Sequence, residues 1–100
     1  MLELKNKKDF MAKIENNPKN IFLLYIYKTL NSKILHNLNL FISNNPKYGI
    51  YLYHFDINNN YLLNDFEITM YPIIRIYNNE TIEEFCIYNV SIFDYITNKF

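Results

Sequence analysis

One cysteine, one glycine, three prolines and no tryptophan stand in a chain of 100 residues. The cysteine shortage excludes most: with Cys86 alone, neither an internal disulfide nor a cysteine-built metal site is possible. No charge of one sign dominates. Ten basic and ten acidic residues cancel, so no basic face is implied and nucleic-acid binding is not expected. Long apolar runs are also missing. None approaches the ~20 residues of a membrane span, and the start, MLELKNKKDF, has no apolar core of a secretory leader. A cytoplasmic chain without membrane contact is therefore expected. Scarce glycine and tryptophan beside abundant Asn, Ile, Lys and Tyr fit the codon usage of an AT-rich genome.

What is present is a globular composition. Half of the residues are hydrophobic and 18% are aromatic, nearly enough rings to dominate a small core. One domain spanning residues 1–100 is expected, with a single core. A net charge of zero leaves little self-repulsion, which makes self-association a candidate property.

Periodicity divides the chain into nine elements. Leu2-Glu3-Leu4 alternates as a short edge strand. Phe10, Met11 and Ile14 recur at helical spacing between Asn6 and Asn16, and Asn17-Pro18 stops that helix. Ile21 to Tyr27 is unbroken apolar sequence, as suits a strand covered on both faces. Asn31 or Ser32 can cap a second helix, Lys33 to Ser43, which a second Asn-Asn-Pro ends at Pro46. Ile50 to Phe55 is a further buried strand. After the Asn-rich turn from Asp56, Leu62, Leu63 and Phe66 mark a short helix over Tyr61 to Glu67. Ile73 to Tyr77 and Thr81 to Tyr88 form a hairpin on Asn78-Asn79-Glu80, since Asn tolerates the positive φ of tight turns. Ser91 then caps a last helix, Ile92 to Phe100. The order is β-α-β-α-β-α-β-β-α, an α/β fold with a central mixed sheet flanked by helices.

This order, with Thr69-Met70-Tyr71-Pro72 placed before the hairpin, resembles the thioredoxin family. The resemblance covers nearly the whole chain and is strongest from Tyr48 to Phe100. Asp56 and Asn58 stand for the family's Asp-rich turn, Asn78-Asn79 for its Asn/Asp-Gly hairpin, and Asn89 for a later glycine. The resemblance implies that the Tyr71–Pro72 bond is cis. Where the family carries W-C-G-P-C, this chain has Thr29-Leu30-Asn31-Ser32-Lys33, with Leu30 and Lys33 at the thiol positions. Leu24 stands in place of the family's buried acid. Disulfide exchange needs an attacking thiolate and a resolving thiol, and neither is at this site.

The resemblance then implies a redox-inactive, thioredoxin-like binding or adaptor module. Its face would be Met70, Tyr71 and Pro72 with Leu30, Asn31, Ser32 and Lys33, taking a protein partner or a second copy, with no cofactor. The residue before a cis-proline in this family presents its backbone to an extended peptide, which points to Tyr71. A degenerate redox or glutathione-linked enzyme using Cys86 or the Thr29 and Ser32 hydroxyls is one alternative. A structural homodimer is another. Tyr25, Tyr27, Tyr71, Tyr77 and Tyr88 are candidates for an aromatic cluster near that face, unless base composition alone explains them.

Other chemistry-bearing residues have plainer roles. Cys86, between Phe85 and Ile87, is expected to serve as a small hydrophobe within a strand. His54 lacks companions at ligand spacing and fits a strand-end histidine with a local hydrogen bond, and His36 belongs on an outer helix face. Asp56, Asn58, Asn60 and Glu67 mimic calcium-loop spacing, but the glycine at the sharp turn is missing. Glu80, Glu83 and Glu84 read as a charged guard on an edge strand.

Overall fold

The computed structural model describes residues 2–29, 31–56, 58, 60–79 and 81–86. Its organising element is the strand β2, Ile21–Tyr27, in which all seven residues are buried. A strand that is apolar on both faces must lie inside a sheet covered on both sides. It does so here, pairing parallel with β3 (Tyr48–His54) and antiparallel with β4 (Ile73–Asn78). The short strand β1 (Leu2–Glu3) extends the sheet beyond β3, and β5 (Thr81–Cys86) closes the other edge. The five strands run β1-β3-β2-β4-β5.

Side-chain alternation along β2 divides the core in two. Leu23, Tyr25 and Tyr27 pack with Ile34, Leu38 and Phe41 of the helix α2, Ser32–Asn44. Phe22, Leu24 and Ile26 pack with Phe10 of α1 (Lys7–Asn16) and with Leu62 and Phe66, from and just after α3 (Tyr61–Asp65). Helices thus cover both faces of a mixed sheet, the expected thioredoxin-like α/β architecture. The last expected helix, Ile92 to Phe100, lies outside the described residues, as do Tyr88 and Asn89. The second layer centres on Phe10, whose ring meets Phe22, Tyr51, Phe66 and Tyr77 edge-on at 5.0–6.4 Å. Gly49 belongs to this packing as well. A Cβ there would stand 2.9 Å from the Phe22 ring, so the strand has no room for a side chain.

The helix ends show what the repeated Asn-Asn-Pro does. Asn17 and Asn45 each turn the chain out of the helix, at φ −134° and −137°. Their side-chain amides donate back to the carbonyls of Lys13 (2.9 Å) and Phe41 (2.8 Å), four residues earlier, occupying acceptors that the helix leaves open. At the starts, Asn6 accepts from the Asp9 amide (2.7 Å) and Asn31 from the Ile34 amide (3.1 Å). Asn31 rather than Ser32 is therefore the cap of α2.

Among the element boundaries that differ from expectation, three bear on the packing. β3 begins at Tyr48, two residues early, because Ile21 and Phe22 of β2 pair with Tyr48 and Gly49. The hairpin uses a two-residue loop, with Asn78 and Thr81 as the closing pair and only Asn79 of the Asn pair at positive φ, 59°. Third, α3 ends at Asp65 rather than Glu67. The Glu67 amide bonds the Asn64 carbonyl (3.1 Å) and the Ile68 amide the Leu63 carbonyl (2.7 Å), while Glu67 itself takes φ 54°. This is a Schellman motif with Glu where glycine is favoured, closed by Ile68 and Leu63 in one apolar layer. Glu67→Gly therefore stabilises the chain by about 0.5–1 kcal/mol, because a Cβ is disfavoured at left-handed φ. A raised urea midpoint with an unchanged slope is the expected result; a lowered midpoint contradicts it.

Candidate functional site

Parallel strands β2 and β3 end at the same rim of the sheet, where open α/β folds leave a crevice for ligands. After Tyr27 the chain turns through Lys28 and Thr29 and enters α2 at Asn31. On the far side of that turn the loop after α3 arrives at Tyr71 and Pro72, joined by a cis peptide bond. Between them lies a cavity of about 370 Å³, lined by Tyr25, Lys28, Thr29, Asn31, Ile34, Tyr71 and Pro72. Asn31, Tyr71 and Pro72, separated in sequence, are thereby brought together. Ser32 and Lys33 are exposed in the first turn of α2, beside the cavity rather than in its wall. Met70 is exposed next to Tyr71, and Leu30 lies outside the described residues.

The Tyr71 ring is half exposed yet fixed in direction. It meets the buried Phe55 ring edge-on, centroids 4.5 Å apart. The backbone of Met70 and Tyr71 makes no hydrogen bond among the described residues. Opposite, three rings stack along the strand ends, of which Tyr25 lines the cavity. Tyr25 lies on Tyr27 at 4.6 Å, and Tyr27 on His54 at 5.0 Å with the planes 5° apart. The stack is tied to the turn by His54, whose Nε2 lies 2.7 Å from the Lys28 carbonyl oxygen and donates to it. Burial, and then the neighbouring Tyr27, push the Tyr25 hydroxyl up to about 12. Tyr77, by contrast, belongs to the other layer with Phe10, so among the described residues the expected cluster keeps Tyr25, Tyr27 and Tyr71. β4 side chains alternate between layers, and Tyr77 has the parity of Ile73.

A residue not singled out from sequence holds the site's loop in place. Arg75, buried in the middle of the apolar β4, faces the layer of α1 and α3. Its Nε donates to Glu84 Oε1 across the hairpin at 2.7 Å, and its terminal nitrogens donate to the Phe66 and Glu67 carbonyls and to the Tyr77 hydroxyl. One guanidinium so joins both hairpin strands to the end of α3, from which the Tyr71 loop departs. Burial works against its charge, but hydrogen bonds and opposing charge from Tyr77 and Glu84 outweigh that and raise its pKa. Burial likewise raises Tyr77, with Arg75 pulling it partly back. The sequence signal was there: a two-residue hairpin places Arg75 opposite Glu84. Glu84 is thus an ion-pair partner as well as an edge charge. Glu80 lies outside the described residues.

The remaining candidates resolve simply. Cys86 is exposed at the end of β5, opposite Ile73, and is not the interior hydrophobe expected of a mid-strand position. No thiol adjoins the start of α2, so the CxxC redox site is absent from this chain. Asp56 accepts from the Asn58 amide at 2.7 Å, an Asx-turn. Among the described residues no cluster of His, Cys, Asp and Glu could hold a metal, and no helix is long and apolar enough to cross a membrane.

The chain's fold is found in many solved structures. It matches the thioredoxin of Fasciola hepatica with a TM-score of 0.81 at 12% identity, covering 99% of this chain and 98% of that one. Thioredoxin f2 of Chlamydomonas reinhardtii gives 0.80 at 16% identity, covering 99% and 94%. A structure of a ferredoxin:thioredoxin reductase and thioredoxin f2 complex gives 0.72 at 12%, covering 98% and 92%. No protein-family model matches the chain, and no curated protein matches it. The fold is that of thioredoxin, without its thiol pair.

Two measurements check this geometry. Arg75→Met leaves the Phe66 and Glu67 carbonyls short of a donor and lowers stability by about 1–3 kcal/mol in urea unfolding; a change within 0.5 kcal/mol contradicts the tie. For Tyr25 the folded pKa lies above the unfolded value of about 10, so its contribution is intact below pH 10 and is lost as pH rises toward 12. Between about pH 9 and pH 11.5, unfolding free energy should fall by about 2 kcal/mol less in Tyr25→Phe than in the wild type. Equal falls would place the Tyr25 hydroxyl in contact with water.

Proposed function

We propose that this thioredoxin-fold chain is a redox-inactive protein-binding module whose docking face is the Tyr71–Pro72 rim with Met70, Asn31, Ser32, Lys33 and Leu30. The observation that carries the reading is the combination at Tyr71. Its backbone is unpaired among the described residues, its ring is half exposed, and it borders a cavity at the rim of the parallel strands. An unpaired segment beside a pocket is what an extended peptide needs. Backbone hydrogen bonds supply affinity and the pocket takes a side chain. A thioredoxin f2 of the same fold has been seen in complex with a protein partner, its reductase. A cytoplasmic setting suits a chain whose one thiol has no partner of its own.

The enzyme alternative finds less support. Thr29 lines the cavity, but among the described residues no His, Asp or Glu joins it there to act as a base. Cys86 sits outside the cavity wall. A second copy of the chain could occupy the same face, and sedimentation over a concentration series distinguishes self-association from docking of another protein.

The test compares wild type, Tyr71→Ala and the exposed helix variant Leu40→Ala as bait, with insulin-disulfide reduction measured on the same preparations. Partners retained by wild type and Leu40→Ala but lost from Tyr71→Ala are expected, without insulin turnover. An identical partner set on all three baits moves the binding face elsewhere. Turnover that disappears in Cys86→Ser replaces the module with an enzyme.

A further inference from the structure

The chemistry of the cavity narrows what can dock there. Its apolar wall comes from Tyr25, Ile34, Tyr71 and Pro72, enough for one large aliphatic or aromatic side chain. Of the seven described lining residues only Lys28 is charged, and none is acidic. The adjoining turn of α2 adds a second cation. Lys33 is exposed there, and the first turn holds no acidic residue. That arrangement is unfavourable for the helix itself, because a lysine at a helix N-terminus opposes the macrodipole. The first turn of α1, for comparison, carries Lys7 and Lys8 as well, with Asp9 beside them. With two lysines and the positive end of a 13-residue helix at one rim, an incoming carboxylate meets attraction from each.

We infer that the occupant is an acidic, extended peptide segment, with an apolar side chain in the cavity and an Asp or Glu within two positions meeting Lys28 and Lys33. The inference rests on the docking reading above and adds the partner's chemistry. The spacing follows from strand geometry. In an extended segment paired to Tyr71, residues two apart share a face and stand about 6.6 Å from each other. A carboxylate two positions from the buried side chain therefore stays on the side of the rim. Exposed charge pairs contribute modestly, so the acidic residues set preference while the cavity and backbone supply most of the affinity.

The test uses fluorescein-labelled nine-residue peptides with a central Leu or Tyr and Asp, Ser or Lys two positions to either side. Fluorescence anisotropy with the purified chain is read near 50 mM and near 300 mM salt. The Asp peptide should bind roughly three- to tenfold tighter than the Ser peptide at low salt, and the Lys peptide more weakly than both. That advantage should vanish in Lys28→Gln/Lys33→Gln and shrink at the higher salt. Tyr71→Ala should weaken all three peptides alike. Equal affinity for Asp and Ser peptides, with binding still dependent on Tyr71, removes the acidic preference and leaves the docking face standing. Binding of no peptide, or binding indifferent to Tyr71→Ala, removes the docking face and the inference with it. Circular dichroism of each variant separates loss of binding from loss of fold.

Discussion

Everything in this molecule is arranged around the double burial of β2. Seven consecutive apolar residues cannot be satisfied by one apolar neighbour layer, because successive side chains point to opposite faces. The strand must be flanked by strands on both edges and by helices on both faces. Parallel pairing with β3 requires a crossover, which α2 supplies on one face. Antiparallel pairing with β4 brings the hairpin to the other edge. The two core layers, one around Tyr25 and Leu38, the other around Phe10, are the consequence.

The site follows from where that arrangement stops. Beyond Tyr27 and His54 the ladder ends, and the chain must leave the sheet in two directions. The Lys28 turn is held by His54, and the Tyr71 loop by its ring contact with Phe55 and by Arg75 at the end of α3. Each is a single polar or aromatic contact replacing regular pairing. What remains between them is an opening bordered, among the described residues, by the Met70 and Tyr71 backbone, which makes no hydrogen bond there. Thiols are not needed for such an opening. The fold produces it from strand ends, a helix start and a loop, and here the walls are tyrosine, isoleucine and proline.

Local patterns made much of this legible. The run Ile21–Tyr27 announced a central strand, and the two Asn-Asn-Pro stops marked where α1 and α2 end. The side-chain capping by Asn17 and Asn45 behind those stops is visible only in three dimensions. Arg75 stands out little in a local window, because apart from the Tyr77 hydroxyl its acceptors are eight and nine residues away, on α3's end and on the opposing strand. Tyr77, a candidate for the aromatic cluster, joins Phe10 instead, because alternation gives it the parity of Ile73 and pairing with β2 sets which layer that parity meets. Cys86 has apolar neighbours in sequence, but the edge strand β5 buries none of its six residues.

The amino-acid sequence by itself determined the kinds of element, their order, the helix stops and the absence of a thiol pair. These depend on periodicity, on proline and asparagine chemistry, and on simple counting, all of which act within a few residues. Only the tertiary structure decided that Asn31, Tyr71 and Pro72 share a wall with Tyr25 and Ile34. It alone showed that one buried guanidinium holds the end of α3 from which the Tyr71 loop departs, and that Lys28 is the one charge among the described lining residues. The physical reason is that a cavity is made by surfaces that fail to meet. Which surfaces those are depends on how strands of different length pair and end, a relation between distant segments that no local pattern records.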